Sequence, residues 1–589
     1  MAGQVSLGRT LIAALTLLYL NAWSATAAVL RNFQVAQPPI VPQDAKQCTI
    51  KILQRDFAWS YGLAEVVPYV PPTDCGAPGS WAAITLNLTV TSNGTQYDRL
   101  AHFALGDVEI WRTSTPEPTR GEGIIWTYIK DVTRYTPLFA KNGTFIFQLD
   151  NIIQEGLDGV YSTVVYATYY ASSQKNPSAK TSDLIVPLST FAKDNGVHGS
   201  VPPAFTTNVT LPQNTVKVFA ELYASGNSQE EFWYFNAANE IIPDLPPDTT
   251  YGQGPFREVR LLVDGHLAGA VYPYISIYTG GFVPSVWRPI PSYGALDLPT
   301  YFVDLTPFAP LLADGKAHQI TIDVSSAEDD HQVLQNWWVS GLLQVFTDPE
   351  SDKTTRGKIT RYSAEPYAKT DLISNIDENG DVRVDLSASR DLRIEATVIS
   401  GSGKVNLVEW RQKLNYKNRQ LYLDGAMKQI VQQSAKGNVT SRHNGVPVIV
   451  DKFSFPITVN YTILSADGRS WKTDFDHSYD RDLLPNPFTL RSEIKTRQIA
   501  SGYYTRSTPY NFGNGTNNNT FDYRDYAGNT YRRKVNAAYN NITLDIIEGS
   551  LASATPASRV GGASPFTDQT SVEWVLNTVV RLPGRTGTL

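Results

Sequence analysis

Apolar and polar residues alternate with a period of two along much of this chain, in short runs that turn residues separate. Ile84, Leu86, Leu88 and Val90 form the plainest run, with polar residues between them. A period of two places alternate side chains on one face of a sheet and so predicts a half-buried strand. Further strands are predicted at residues 49–53, 100–110, 124–131, 145–149 and 160–170. No amphipathic helix separates them, and strands at this spacing predict an antiparallel sandwich or jelly roll.

The chain is too long for one hydrophobic core, because its 589 residues predict two to four domains. A polar stretch at 172–190 and a charged, proline-containing joint at 348–353 predict the boundaries. We therefore predict an all-β protein of two adjacent jelly-roll sandwiches followed by a C-terminal β-rich domain. The predicted spans are an N-terminal jelly roll with an extended arm over 29–185, a second jelly roll over 186–350 and the C-terminal domain over 355–589.

Two features stand out in the last domain. Asn379-Gly380 fits the two-residue turn of a hairpin. Residues 501–530 are rich in Asn, Gly, Tyr and Thr, which predicts a loop or a weakly ordered insertion.

The first 28 residues read as a signal peptide. Arg9 precedes an apolar run at 11–20, and Ala25-Thr26-Ala27 supplies small residues for cleavage. The apolar run is too short to span a bilayer, and no later stretch is longer, so no membrane span is expected. The mature chain is predicted to be secreted; the alternative is an uncleaved membrane anchor.

Secretion gives meaning to the cysteines and to nine sequence motifs. Cys48 and Cys75 are the only cysteines and are predicted to pair, with two buried free thiols as the alternative. The Asn-x-Ser/Thr acceptors predict glycosylation at Asn87, Asn93, Asn142, Asn208, Asn438, Asn460, Asn514, Asn518 and Asn541.

Charge and motif content exclude several functions. A net charge of −6 without a basic block gives nucleic-acid binding no electrostatic support. The chain contains no HExxH, CxxC or GxSxG sequence, and its seven histidines lack the spacing of metal ligands, so no metal site is predicted. Acidic side chains remain as candidates for proton chemistry.

Three clusters combine acids or arginines with aromatic residues. The first, at 96–131, contains Asp98, Arg99 and Trp126; the second, at 229–236, contains Glu231 and Trp233; the third, at 278–290, contains Trp287 and Arg288. Indole faces stack on sugar rings and carboxylates accept hydrogen bonds from hydroxyl groups, so such clusters suit a sugar site. The alternative is a surface network of ion pairs beside core tryptophans.

These clusters carry a family resemblance. The segments SYGLAEVVPYVPPTDC, QYDRLAHFALGDVEIWRTSTPEPT, GIIWTYIKDVTRY, LDNII, EEFWYFN, REVRLLVDGHLAG and YTGGFVPSVWRPI run in order between about residues 48 and 345. Together they resemble the peptide-N-glycosidase A family of plant and fungal amidases. The resemblance implies hydrolysis of the amide between an asparagine side chain and the innermost N-acetylglucosamine of N-glycopeptides and N-glycoproteins, without a metal or organic cofactor.

The resemblance also assigns residues. Asp98 matches the essential aspartate, as a base toward water or as a nucleophile on the amide carbon; we favour the base. Glu231 matches a glutamate expected to contact the innermost sugar or position water, and Asp150 matches a third acidic position. Arg99 is expected to keep a carboxylate ionised. As a chemical inference, the predicted substrate-binding residues are Arg99, Arg288 and three stacking indoles, Trp126, Trp233 and Trp287.

The two sandwiches are expected to meet at the site, since Asp98 and Asp150 belong to the first and Glu231 to the second. Two other functions remain open. One is a non-catalytic lectin or cell-wall glycan-binding protein on the same fold. The other is a glycosidase with two catalytic carboxylates, which would leave a sugar on the asparagine.

Overall fold

The computed structural model describes residues 29–485, 490–507 and 511–554; the predicted signal peptide lies outside them. These residues form β-sheets with only short helical turns, which confirms the all-β prediction. In the described part of the chain, no helix has the length and apolar character needed to cross a membrane.

Nine strands form the first pair of sheets. They are β1 (Leu30–Asn32), β2 (Gln47–Phe57), β3 (Glu65–Tyr69), β4 (Ala83–Ser92), β5 (Leu100–Leu105), β6 (Val108–Ser114), β7 (Ile124–Asp131), β8 (Gly143–Leu149) and β9 (Tyr161–Tyr170). One sheet has the order β1-β7-β4-β9-β2 and the other β3-β8-β5-β6. A 3-10 turn (Thr133–Tyr135) and a helical turn (Thr136–Phe139) link β7 to β8. Both sheets contribute side chains to one buried core, so they pack face to face as a sandwich.

Nine further strands form a second pair of sheets. They are β10 (Leu184–Leu188), β11 (Gly199–Val201), β12 (Phe205–Val209), β13 (Thr215–Gly226), β14 (Glu258–Val263), β15 (His266–Val271), β16 (Tyr301–Asp304), β17 (His318–Ser325) and β18 (Trp337–Thr347). The sheet orders are β10-β18-β13-β16, with β11 also on β18, and β12-β17-β14-β15. The short helical turns of this region are Ser228–Glu230, Trp233–Phe235, Asn239–Asp244, Pro284–Trp287, Thr306–Phe308 and Ala309–Leu312.

The last eleven strands build one large antiparallel sheet, the third sheet. They are β19 (Arg356–Ser363), β20 (Lys369–Ile376), β21 (Val382–Ile399), β22 (Val405–Leu423), β23 (Lys428–His443), β24 (Val446–Ile463), β25 (Ser470–Leu484), β26 (Ser492–Thr505), β27 (Phe512–Asp525), β28 (Thr530–Ala538) and β29 (Asn541–Glu548), and a 3-10 turn follows at Ala552–Ala554. Alternate residues of its strands are buried. The buried face shares a core with the second sandwich, and Trp410 donates its Nε1 hydrogen to the carbonyl of Ala268 at 2.9 Å.

Three local predictions differ from the structure. Residues 100–110 are not one strand, because Gly106 and Asp107 turn the chain between β5 and β6. The polar stretch 172–190 contains β10, which adds to the edge of β18. The described residues of the stretch 501–530 lie mostly in strands and not in a loop. Its central strand, β27, pairs with β26 on one side and with β28 on the other, and its side chains point alternately to the two faces of the sheet. A fourth prediction differs in detail: a hairpin turn does join β20 to β21 at Asn379-Gly380, but it is not a two-residue turn. The N–H of Asp377 donates to the carbonyl of Asp381 at 3.0 Å, so residues 378–380 form a three-residue loop in which Gly380 has a φ of +80°.

The disulfide prediction is confirmed, since Cys48 and Cys75 are bonded with their Cα atoms 5.9 Å apart. None of the nine predicted glycosylation acceptors is buried: six are exposed and three, Asn87, Asn460 and Asn514, are half-buried. Glycosylation itself stays a prediction, as does the jelly-roll connectivity of the two sandwiches.

Candidate active site

Asp98 lies at the edge of the first sandwich, in the segment between β4 and β5. The buried side chain of Gln96 fixes this segment, because its Nε2 donates to the carbonyl of Gly159 at 3.2 Å and its Oε1 accepts from Nη2 of Arg99 at 2.7 Å. The backbone N–H of Arg99 donates to Oγ1 of Thr115 at 2.8 Å. Asp98 is therefore held on a rigid strand end rather than on a free loop.

The hairpin of β5 and β6 brings a second acid to the same place. The N–H of Thr115 donates to the carbonyl of Arg99 at 2.9 Å, which extends the pairing beyond the end of β5. The chain that continues from Thr115 carries Glu117, which is half-buried beside Asp98. The first sandwich thus presents two carboxyl groups instead of one.

Gly280, from the second sandwich, lies against both of these acids. Its N–H donates to the carboxylate of Asp98. A methyl group on Gly280 would lie 2.6 Å from Oε1 of Glu117 and 2.8 Å from Cγ of Asp98, closer than real contacts allow. Because both atoms lie so near one point, they are at most about 5.4 Å apart. A larger residue at this position would displace the carboxyl ends of both acids, so glycine lets them lie against the backbone of the second sandwich.

Glu231 completes the site from the 3-10 turn that follows β13. Its neighbour Glu230 is fully buried and accepts from Nε and Nη2 of Arg257, at 2.5 and 2.7 Å, and from Nε1 of Trp337 at 2.6 Å. This fixed ion pair turns the side chain of Glu231 to the other side of the chain. The ring of Phe232 lies 3.7 Å from the methyl position of Gly281, which places Glu231 next to the Gly280 segment.

The three carboxyl groups oppose one another's ionisation. Burial and the charge of Asp98 raise the pKa of Glu117 to about 8. Burial, followed by the charges of Asp98 and Glu117, raises the pKa of Glu231 to about 8. Burial also raises the pKa of Asp98, but the N–H of Gly280 and the cation of Arg99 act in the opposite direction. Asp98 is therefore the acid of the three that is best supported as an anion.

Two arginines flank the acids without forming ion pairs with them in the residues described. The nearby charge of Arg288 opposes the rise in the pKa of Glu117. Nη1 of Arg288 also donates a hydrogen bond to the main-chain carbonyl of Glu117 at 3.2 Å. The Nε atoms of Arg99 and Arg288 are buried and make no hydrogen bond within the described residues. Both predicted arginines thus reach the site, with donors left over for a ligand.

A small cavity opens beside Glu231. Its lining includes Glu231, Ser225, Tyr278 and the edges of Trp233 and Trp337. Its volume of about 20 Å³ is enough for one ordered water molecule. Across the residues that are described, no group of three or more His, Cys, Asp or Glu side chains is arranged to hold a metal ion.

The three predicted stacking tryptophans are core residues, and this corrects their assignment as open sugar platforms. Trp126 is 2% exposed and packs against Tyr161, and Trp287 is 1% exposed with its Nε1 donating to the carbonyl of Gly281 at 2.8 Å. Trp233 is 4% exposed and reaches only the small cavity. An indole covered by protein on both faces has no face to offer a sugar. The exposed aromatic side chain next to Asp98 is Tyr97, at 54%.

Asp150 lies in a different hydrogen-bond network from the three coupled acids. Its carboxylate accepts from Nε2 of Gln148 at 2.9 and 3.0 Å and from the N–H of Gly62 at 3.0 Å. The structure thus brings together Asp98, Glu231 and the acid that sequence reasoning did not assign, Glu117. A catalytic role for Asp150 stays a prediction.

A buried ion pair joins the two sandwiches behind the site. Nε and Nη2 of Arg112 donate to Glu109, both at 2.7 Å, while Nη1 donates across the junction to Oγ of Ser225 at 2.8 Å and to the carbonyl of Trp338 at 2.7 Å. Glu109 also accepts from Ser340 of the second sandwich. This network sets the position of β6, which leads to Glu117, relative to β13, which leads to Glu231.

The third sheet supports the segment that carries Gly280. Nε1 of Trp471 donates to the carbonyl of Phe282 at 3.0 Å. Nδ2 of Asn517 donates to the carbonyls of Val286 and Ile290 at 3.2 and 3.0 Å. The third sheet therefore braces the backbone segment that lies against Asp98 and Glu117.

Comparisons with known proteins agree with the family resemblance. A family model described as "Peptide N-acetyl-beta-D-glucosaminyl asparaginase amidase A" matches residues 38–365, and a "PNGase_A C-terminal domain" model matches residues 383–457. A protein of Prunus dulcis, "Peptide-N4-(N-acetyl-beta-glucosaminyl)asparagine amidase A", is 37% identical over 351 residues. The match covers 57% of this chain and 60% of that relative, so the chain spans less than two thirds of the relative's length.

Two solved structures show a weaker likeness. A peptide-N(4)-(N-acetyl-β-D-glucosaminyl) asparagine amidase is 16% identical with a TM-score of 0.33, over 52% of this chain and 97% of that chain. The structure of PNGF-II is 14% identical with a TM-score of 0.33, over 51% and 65% respectively.

Proposed function

Because the chain belongs to the peptide N-acetyl-beta-D-glucosaminyl asparaginase amidase A family, we propose that it is a glycoamidase acting on N-glycopeptides and N-glycoproteins. The reaction is hydrolysis of the amide between an asparagine side chain and the innermost N-acetylglucosamine. It yields aspartate and a glycosylamine. One observation carries this proposal: the carboxyl group of Asp98 in the first sandwich lies against Gly280 of the second, and its charge raises the pKa of Glu231, which also belongs to the second sandwich.

Asp98 is the general base in this proposal. An amide carbon is a poor electrophile, so the attacking water must lose its proton as the new C–O bond forms. Burial raises the pKa of Asp98, but the Gly280 N–H and the Arg99 cation oppose that rise and favour the charged form that a base needs. Glu231 retains its proton up to about pH 8 and so can donate a hydrogen bond to a sugar hydroxyl or to the amide oxygen. The cavity beside Glu231 offers a place for water.

The test is a mass measurement on a defined N-glycopeptide. Conversion of the linked asparagine to aspartate, with the whole glycan released, supports the glycoamidase. An intact glycopeptide that stays bound to the protein supports the lectin, and a sugar left on the asparagine supports the glycosidase.

Asp98→Asn separates catalysis from binding in the same assay. The variant keeps the shape of the side chain but removes the base, so we expect turnover to fall at least about 10²-fold while the glycopeptide Kd changes little. Asp107→Asn is the matched control, because Asp107 is a half-buried residue of the β5–β6 turn and its positive φ of 65° suits asparagine as well as aspartate. Near-normal turnover in Asp98→Asn contradicts the assignment of the base.

We also propose that the protein is secreted. The support is the signal-like sequence at residues 1–28, the Cys48–Cys75 disulfide and the accessibility of the glycosylation acceptors. Amino-terminal sequencing of chain recovered from culture medium tests it; a start near Ala28 or Val29 is expected, and an intact Met1 on retained protein contradicts it.

A further inference from the structure

Amide hydrolysis needs two proton transfers, and the proposed function has so far accounted for one. A proton leaves the attacking water, and another must reach the departing nitrogen, because an amine does not leave as an anion at ordinary pH. The second transfer requires an acid that holds its proton when the base does not. The acid must also lie on the same substrate amide as Asp98, which restricts the choice to groups around Gly280.

Glu117 meets these geometric requirements. Its Oε1 and the Cγ of Asp98 both lie against Gly280, at most about 5.4 Å apart. That spacing allows one amide group to touch both acids, Asp98 through the water at the carbon and Glu117 at the nitrogen. Glu117 has no ion-pair partner among the described residues, while its main-chain carbonyl is held by Arg288. The carboxyl group of Glu117 accepts a hydrogen bond from the backbone N–H of Asp98, which holds it beside that acid.

We propose that Glu117 is the catalytic acid that protonates the departing glycosylamine nitrogen, an inference that rests on the proposed function. The water oxygen bonds to the amide carbon while Asp98 accepts the water proton. The C–N bond then breaks as Glu117 transfers its proton to the nitrogen, which leaves as a neutral amine. The proton held by Asp98 returns to Glu117 across the short gap, and the new aspartic acid loses its own proton to solvent. Atoms and charges balance over the cycle.

The electrostatics of the site agree with this division of roles. Burial and the neighbouring Asp98 raise the pKa of Glu117 to about 8, so Glu117 is protonated at neutral pH. The charged groups that act on it are Asp98, Arg288 and Arg99. Its own charge acts in turn on Glu231, Tyr161 and Tyr504. Glu231 has a similar pKa, but it belongs to the second sandwich and lines the water-sized cavity. Burial raises the pKa of Asp98 as well, but the Gly280 N–H and the Arg99 cation oppose that rise. Acid–base catalysis requires that one of the two acids is ionised while the other keeps its proton.

Glu117→Gln tests the proposal with little change in shape. We expect kcat on an N-glycopeptide to fall about 10²-fold or more, because glutamine has no proton to give, while KM changes less than about threefold. Glu117→Asp should recover part of the rate. Glu122→Gln is the matched control: Glu122 is an exposed carboxylate five residues further along the same segment, and its kcat should stay unchanged.

Two pH measurements separate a proton donor from a structural residue. In the wild type, kcat should fall above about pH 8 as Glu117 ionises, and this fall should be shallower in Glu117→Gln. For stability, a carboxyl with a raised pKa keeps its proton in the folded state between about pH 4.5 and 8, where the unfolded state has released it. Wild-type stability therefore falls as the pH rises through this window. The difference in melting temperature, Glu117→Gln minus wild type, should increase over the same range.

The outcomes distinguish the two levels of inference. If the wild type does not convert glycosylated asparagine to aspartate, the proposed function fails and the role of Glu117 fails with it. If the wild type is active but Glu117→Gln keeps kcat within about threefold and the same alkaline limb, only the role of Glu117 is wrong. If Glu117→Gln loses its cooperative melting transition, the variant is unfolded and Glu117→Asp becomes the deciding variant. A folded Glu117→Asp protein that recovers no activity contradicts the proposal, and one that recovers part of the rate supports it.

Discussion

Gly280→Ala should disable the site although it removes no functional group. The added methyl would lie 2.6 Å from Oε1 of Glu117 and 2.8 Å from Cγ of Asp98, whereas ordinary contacts begin near 3.4 Å. The Glu117 carboxyl, or the Gly280 backbone, must therefore move by about 0.8 Å, and the Asp98 carboxyl must move further because its Oδ1 is the atom nearest to the methyl position. The backbone cannot yield easily, because the third sheet holds it through Phe282 and Val286. Displacements of this size in a catalytic group cost on the order of 10² in rate.

We expect kcat of Gly280→Ala to fall about 10²-fold and the free energy of unfolding to fall by about 1 to 3 kcal/mol from overpacking. Glycopeptide turnover by mass spectrometry gives the rate, and urea unfolding gives the stability. Gly143→Ala is the control, since a methyl there meets only Leu105 at an ordinary 3.6 Å and leaves the Asn142 acceptor motif intact. A folded Gly280→Ala protein with kcat within threefold of wild type would falsify the view that Gly280 sets the spacing of the two acids.

Two further predictions concern the supports of the site. Arg257→Met leaves the buried Glu230 carboxylate without its cation, so the free energy of unfolding measured in urea should fall by about 3 to 5 kcal/mol. Arg497→Met, which breaks an exposed ion pair, is the control and should lower it by less than about 1 kcal/mol. Equal losses in the two variants contradict the burial argument. Asn517→Ala removes two hydrogen bonds to the Gly280 segment, so the free energy of unfolding should fall by about 1 to 3 kcal/mol and kcat should fall several-fold. Arg524→Ala, at an exposed residue of the same strand, is the control and should change neither quantity. An unchanged kcat in Asn517→Ala would show that this support does not affect the acids.

The sequence predicted the all-β class, the disulfide and the meeting of Asp98 with Glu231, but it missed Glu117. The cause is the hairpin of β5 and β6. We interpreted residues 100–110 as one strand, whereas Leu100 pairs with Ser114. In that register residue 98 lies opposite residue 116, which brings Glu117 beside Asp98. Gly106-Asp107 was the available signal, because a left-handed turn of this kind fixes the hairpin register.

The tryptophans were wrong for a different physical reason. Trp126 and Trp287 stand in clusters with charged residues, and composition alone does not tell a rim from a core. In the structure the charged group beside Trp287 points into the protein, because Arg288 donates a hydrogen bond to the main-chain carbonyl of Glu117. The indole of Trp287 itself donates to the carbonyl of Gly281. Large aromatic side chains then fill the junction between sandwich and third sheet, where Trp287 packs on Phe475 at 5.1 Å. Their role is to hold the backbone of the site in place.

The site depends on three separate layers, and this explains why so much of the chain is needed to hold three carboxyl groups. Like charges repel, so three acids in one desolvated pocket destabilise any arrangement that is free to relax. Three groups of contacts oppose such relaxation. The Glu109–Arg112 network fixes one sandwich against the other, and the Glu230–Arg257 ion pair fixes the turn that carries Glu231. Asn517 of the third sheet holds the segment that contains Gly280. Each of these supports is a buried, hydrogen-bonded group rather than a surface pair, and buried groups resist displacement. The raised pKa values of Glu117 and Glu231 are thus maintained by the packing of the whole fold, and loosening any one layer should lower them together.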